Sequence, residues 1–81
     1  MNFSDALQSL KAGNRISREG WNGKGMWLIL VESEEYTLES YQKFDSEGQL
    51  AFIAMRTATK EMVPWLASQS DILADDWSIK K

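Results

Sequence analysis

Apolar residues open the chain at Phe3, Leu7 and Leu10, a spacing that sets all of them on one side of a helix. Ser4 offers a hydroxyl for capping, Asp5 an acid for the first turn, and Lys11 a cation for the last. Gly13 supplies a left-handed stop. The pattern predicts a short amphipathic helix over residues 5–12. Arg15 to Arg18 then alternates basic and other residues around Ile16, which predicts a short strand. Met26 to Glu32 contains the longest apolar run, Met26 to Val31, and reads as a buried strand bounded by turn material.

The stretch from Ser33 to Gly48 fits neither period well. Tyr36, Leu38 and Ser40 suit a strand, whereas Leu38, Tyr41 and Phe44 suit a helical stripe. Its many acids and polar residues predict a surface excursion. Leu50 to Thr57 alternates as a strand, and Met62 to Trp65 makes its hairpin partner across Ala58-Thr59-Lys60-Glu61. Pro64 confines that partner to an edge or a strand end, because proline donates no ladder hydrogen bond. Ser68, Ser70 and Asp71 are capping residues ahead of Ile72-Leu73-Ala74, which predicts a single helical turn. Asp75-Asp76 ends it, and Trp77-Ser78-Ile79 reads as a final strand. The sum is an α+β domain spanning residues 1–81, with one N-terminal helix packed on a small, mainly antiparallel β-sheet.

Size and composition narrow the function. A chain of 81 residues keeps much of its surface wet and builds a core of marginal stability. It contains no cysteine and no histidine, so disulfides, histidine-based catalytic triads and transition-metal sites are all disfavoured. Self-association is the remaining route to stability. The net charge is −3 and no segment gathers Lys and Arg, which argues against a sequence-independent grip on DNA or RNA. A small anionic ligand is still compatible, since a few local donors suffice for a phosphate. No run approaches the length of a membrane span, and the N-terminus lacks signal-peptide character, so a cytoplasmic protein is expected.

The candidate chemistry is concentrated in loops. Gly20-Trp21-Asn22-Gly23-Lys24-Gly25 holds three glycines in six positions, suited to a tight turn or a close approach to a ligand. It matches neither phosphate-binding glycine pattern, so Lys24 alone is a weak phosphate signal. Asp71, Asp75 and Asp76 could in principle hold magnesium for a phosphodiesterase, but Asp71 is equally a capping acid. Of four tryptophans, Trp27 and Trp77 lie within apolar strands and are expected in the core. Trp21 and Trp65 sit at loop positions beside Asn22, Ser68 and Gln69. They suit stacking on a flat ring while neighbours hydrogen-bond its edge, and equally suit capping the edge of the core. A protein-interaction module gripping a partner through Trp21 and Trp65 is a further possibility.

The segments Gly20-Trp21-Asn22-Gly23-Lys24-Gly25-Met26, Phe52-Ile53-Ala54-Met55-Arg56-Thr57-Ala58 and Val63-Pro64-Trp65-Leu66-Ala67-Ser68-Gln69-Ser70-Asp71, continuing to Trp77, resemble a short phage and bacterial family. These are the Thoeris anti-defence proteins of the second type, and the likeness covers nearly the whole chain. The resemblance implies a non-catalytic sponge that binds and sequesters cyclic nucleotide immune signals, notably glyco-cyclic ADP-ribose. In some members it extends to cyclic di- or trinucleotides at a separate site. It also implies a homotetramer, a dimer of dimers, with pockets shared between subunits and no cofactor, metal or nucleic-acid partner. On this resemblance the ligand-binding residues are Trp21, Asn22, Lys24, Gly25, Met26, Arg56, Trp65, Ser68, Gln69 and Asp71. Trp21 and Trp65 would stack the base, Asn22, Ser68 and Gln69 would read its edge or the sugar, and Asp71 would accept hydroxyls. Arg56, Lys24 or loop N–H groups would meet phosphate charge. A bacterial host cytoplasm follows as the expected location.

Overall fold

A computed structural model of the protein describes residues 1–21, 25–33, 43–45, 48 and 50–81. Most of the stretch expected to form a surface excursion therefore lies outside the described residues, as do Asn22, Gly23 and Lys24.

Helix α1 spans Phe3–Lys11, beginning two residues before the sequence pattern placed it. The cap is Asn2 and not Ser4. Asn2 has extended backbone, and its side-chain oxygen accepts from the Asp5 N–H at 2.9 Å, satisfying one of the unpaired donors at the helix start. The helix stops as expected: Gly13 adopts φ +96° and its N–H donates to the Leu10 carbonyl at 2.9 Å.

Strands β1 (Arg15–Arg18), β2 (Trp27–Val31), β3 (Phe52–Arg56), β4 (Met62–Pro64) and β5 (Trp77–Lys80) form one sheet in the order β4-β3-β2-β1-β5. Every neighbouring pair is antiparallel. The expected architecture, an N-terminal helix on a small antiparallel sheet, is the one observed. Pro64 lies on β4, an edge strand, as its missing N–H requires. Beyond it the Trp65 N–H still donates to the Ile53 carbonyl at 2.9 Å, which fixes where the Trp65 indole leaves the sheet. A short helix α2, Gln69–Ile72, is capped by Ser68, whose hydroxyl accepts from the Asp71 N–H at 3.1 Å.

The two faces of the sheet differ. On one, Ile16, Leu28 and Trp77 meet Ala6 and Leu10 of α1, all but closed to solvent. Phe3, Leu7, Trp21, Ile53, Met55 and Trp65 pack around this centre. Burying each large aliphatic side chain there contributes about 1.5–3 kcal/mol. Trp77 is core, as the sequence suggested, but Trp27 is not part of this cluster. Side chains alternate along a strand, and Leu28 takes the helix-facing side, so Trp27 points to the other face. Apolar character alone could not separate the two tryptophans; the register does.

Candidate ligand-binding site

Trp77 organises an aromatic group at one end of the core. The short turn Glu19–Trp21 follows β1 and brings the Trp21 ring edge-on to Trp77, with centroids 5.4 Å apart and planes at 80°. Trp65 meets Trp77 in a similar edge contact at 6.1 Å and 87°, and Phe3 lies 5.9 Å from Trp65 and 5.5 Å from Trp77. Such edge-on pairs let the positive rim of one ring meet the negative face of another. Trp21 and Trp65 are half-buried. They do cap the core edge, and each keeps open surface. The structure thus brings together the two indoles singled out by the sequence, with Trp77 between them in the contact network.

Beside this group lies a charged cluster that sequence reasoning missed. Arg18 Nε donates to Asp76 Oδ1 and Arg18 Nη1 to Asp71 Oδ1, both at 2.7 Å. The second oxygen of Asp76 accepts the Gly20 N–H at 2.9 Å, and the Asp76 carbonyl accepts the Glu19 N–H at 3.1 Å. The Asp71 carbonyl accepts the Trp77 indole N–H at 2.9 Å. One guanidinium fork thereby ties β1, α2 and the approach to β5 around the aromatic group, a geometry that suits arginine and not lysine. These hydrogen bonds from Arg18 hold the Asp76 carboxyl below its usual range, helped by the Gly20 N–H and opposed by partial burial. The two carboxylates in turn raise the Arg18 pKa.

The same cluster bears on the phosphodiesterase alternative. A metal held by Asp71 would compete with a guanidinium already 2.7 Å from its carboxylate. Among the described residues, no group of three or more metal-capable side chains converges.

The remaining candidates separate. Ser68 and Gln69 lie at the start of α2, near Asp71, with Ser68 acting as the cap and Gln69 exposed. Asn22 and Lys24 fall outside the described residues. Gly25, Met26 and Arg56 lie at the far end of the glycine loop and on β3. Arg56 Nη1 donates to the Gly25 carbonyl at 2.7 Å, so it anchors the loop's exit. Gly25 holds φ +75°, and a Cβ there would stand 3.3 Å from Arg56 Nη1, so glycine serves both a backbone and a packing need. Arg56 is paired with Trp27 across β2 and β3, which puts its side chain on the face of the sheet away from α1. It is therefore not gathered with Trp65, Ser68 and Asp71.

That second face holds another arrangement the sequence did not reveal. The Trp27 ring has the guanidinium carbons of Arg56 and Arg15 at 4.0 and 4.9 Å from its centroid and the Lys80 ammonium at 5.8 Å. Arg15 and Lys80 are opposite one another in β1 and β5. No local motif signals this, since the participants come from four strands and meet only through their register.

A family model described as the Thoeris anti-defense 2-like domain matches residues 1–80. The chain is also 38% identical over 85 residues to a Bacillus phage SP01 protein named Thoeris anti-defense 2, covering 98% of this chain and 93% of that protein. The glycine loop, the paired indoles and the Ser68-capped turn are accordingly features of a chain that belongs to the Thoeris anti-defense 2-like family.

Proposed function

We propose that this protein is an anti-defence sponge, binding a cyclic nucleotide immune signal of the glyco-cyclic ADP-ribose class and holding it without cleavage. The observation that carries the reading is the placement of two half-open indoles, Trp21 and Trp65, on either contact of Trp77 beside Ser68, Gln69 and Asp71, in a chain of this family. The ligand presents an adenine face, ribose hydroxyls and a pyrophosphate. Trp21 and Trp65 supply stacking surface. Asn22, Ser68 and Gln69 supply hydrogen bonds to the base edge or sugar, and Asp71 accepts hydroxyls with the oxygen that Arg18 leaves open. Lys24 and the N–H groups of the glycine loop meet the phosphates, with Gly25 and Met26 forming the loop's wall. Arg56 enters this site through Gly25, whose carbonyl it anchors.

Sequestration asks only for affinity and abundance, because a sponge lowers free signal by mass action. The chemistry fits: Asp71 and Asp76 are engaged by Arg18 and are poorly suited to activate water. The pocket is completed between subunits of a homotetramer arranged as a dimer of dimers, in the cytoplasm of the bacterial host. Supporting this, Leu66, Ile72 and Leu73 near Trp65 and α2 are left exposed on each chain, the kind of apolar surface that association covers.

Incubation with glyco-cyclic ADP-ribose followed by denaturation tests the proposal. Intact ligand should be released in proportion to protein. Recovery of cleaved product alone would replace the sponge with a hydrolase.

A further inference from the structure

We propose that Trp27 is a positioning residue for the ligand site: from the face of the sheet away from α1 it holds Arg56 so that the exit of the glycine loop is fixed. The proposal rests on the sponge reading and adds to it a residue outside the indole group.

The loop over residues 20–25 is tied at both ends. At its entry the Gly20 N–H donates to Asp76 Oδ2 at 2.9 Å. At its exit the Gly25 carbonyl accepts from Arg56 Nη1 at 2.7 Å. Each end glycine lies against an arginine: a Cβ on Gly20 would stand 3.3 Å from Arg18 Nη2, and one on Gly25 3.3 Å from Arg56 Nη1. Holding the Gly25 carbonyl also fixes the direction of the Met26 N–H, since both belong to one planar trans peptide. Trp21 directly follows the first tie, and Lys24 and Met26 adjoin the second.

The exit tie is only as well placed as the guanidinium that makes it, and Trp27 places that guanidinium. Trp27 and Arg56 are directly opposite in β2 and β3, so their side chains share one face of the sheet. The Arg56 guanidinium carbon stands 4.0 Å from the centroid of the half-buried Trp27 ring, closer than Arg15 at 4.9 Å or Lys80 at 5.8 Å. The ring attracts the cation and restricts the swing of a long side chain, which keeps Nη1 aimed at one carbonyl. A lysine at position 56 could donate but would not stack flat. Trp27 is absent from the core cluster that gathers Trp21, Trp65 and Trp77, so it acts through Arg56 and the loop backbone and not by touching the ligand. A loop exit fixed beforehand lowers the ordering cost that binding carries, so the effect falls on affinity.

Calorimetry with glyco-cyclic ADP-ribose on the full chain, in a double-mutant cycle of Trp27→Leu and Arg56→Lys, tests this. Each single variant should bind about fivefold more weakly than the parent, the size of one partly desolvated cation–π contact. The double variant should bind about as well as the weaker single one, because both substitutions break the same tie. Trp27→Phe keeps an aromatic face and should recover most of the affinity. In NMR spectra the Arg56 Nε–H signal, identified by its absence in Arg56→Lys, should move to an ordinary arginine position in Trp27→Leu as the ring current is lost. Should Trp27→Leu fail to fold, Trp27→Met takes its place in the cycle. A parent that binds with a Trp27→Leu variant equal to it, or losses that multiply in the double variant, would overturn the positioning role and leave the sponge reading intact. A parent that does not bind would overturn the sponge reading itself, and this proposal with it.

Discussion

Arg18 and Asp76 are joined by a 2.7 Å hydrogen bond between Nε and Oδ1, and the other oxygen of Asp76 takes the N–H of Gly20, the residue before Trp21. A strand end, the turn before the last strand and the start of the glycine loop are thus held by one carboxylate. The position of the Trp21 indole depends on this charged contact as well as on its packing against Trp77.

The contact gives a pH dependence of definite sign. Asp76 has a folded-state pKa below its unfolded value, so its contribution to stability is present above about pH 4 and is lost as pH falls through the folded value. Thermal melts at descending pH should show a loss of stability in the parent that is reduced in Asp76→Asn.

Arg18→Lys should lower the melting temperature, because an ammonium cannot reproduce two forked hydrogen bonds to Asp71 and Asp76. Arg18→Met should lower it further, leaving two carboxylates without their cation. Ligand affinity measured by calorimetry should fall in the same order.

Leu10 is fully buried between α1 and the sheet. Leu10→Ala should cost about 2–5 kcal/mol in chemical denaturation, the range for a large-to-small change in a packed core. In a domain this small, that is a large share of the total stability.

Gly25→Ala should destabilise by about 1–2 kcal/mol, since φ +75° is unfavourable for a residue with a Cβ. The added carbon also presses on Arg56 Nη1 at 3.3 Å. Gly13→Ala, with φ +96° and no atom within 4 Å of the new carbon, isolates the backbone part of the effect.

The elements were legible because their signals are local. Apolar spacing gave α1, alternation and a hairpin turn gave β3 and β4, and Ser68 marked the start of α2. The cap of α1 was misplaced because Ser4 and Asn2 are both good caps, and only geometry shows which oxygen reaches the Asp5 N–H. Trp27 was misread because an apolar run does not say which residue faces the helix. Arg18 and the cations around Trp27 were invisible for a related reason. Their partners are distant in sequence, with Arg18 and Asp76 separated by 58 positions, and nothing local marks a residue for a contact made by strand register. Trp21 and Trp65 stood out through their loop setting, and the fold brings both to Trp77.

The central claim, capture without cleavage at the Trp21 and Trp65 indoles, is tested most directly by one calorimetric comparison with glyco-cyclic ADP-ribose, followed by ligand recovery after denaturation. The parent should bind tightly and return the ligand intact, and Trp21→Ala, still folded by circular dichroism, should bind at least tenfold more weakly. Equal binding by a folded Trp21→Ala, or recovery of a cleaved ligand, would contradict the account.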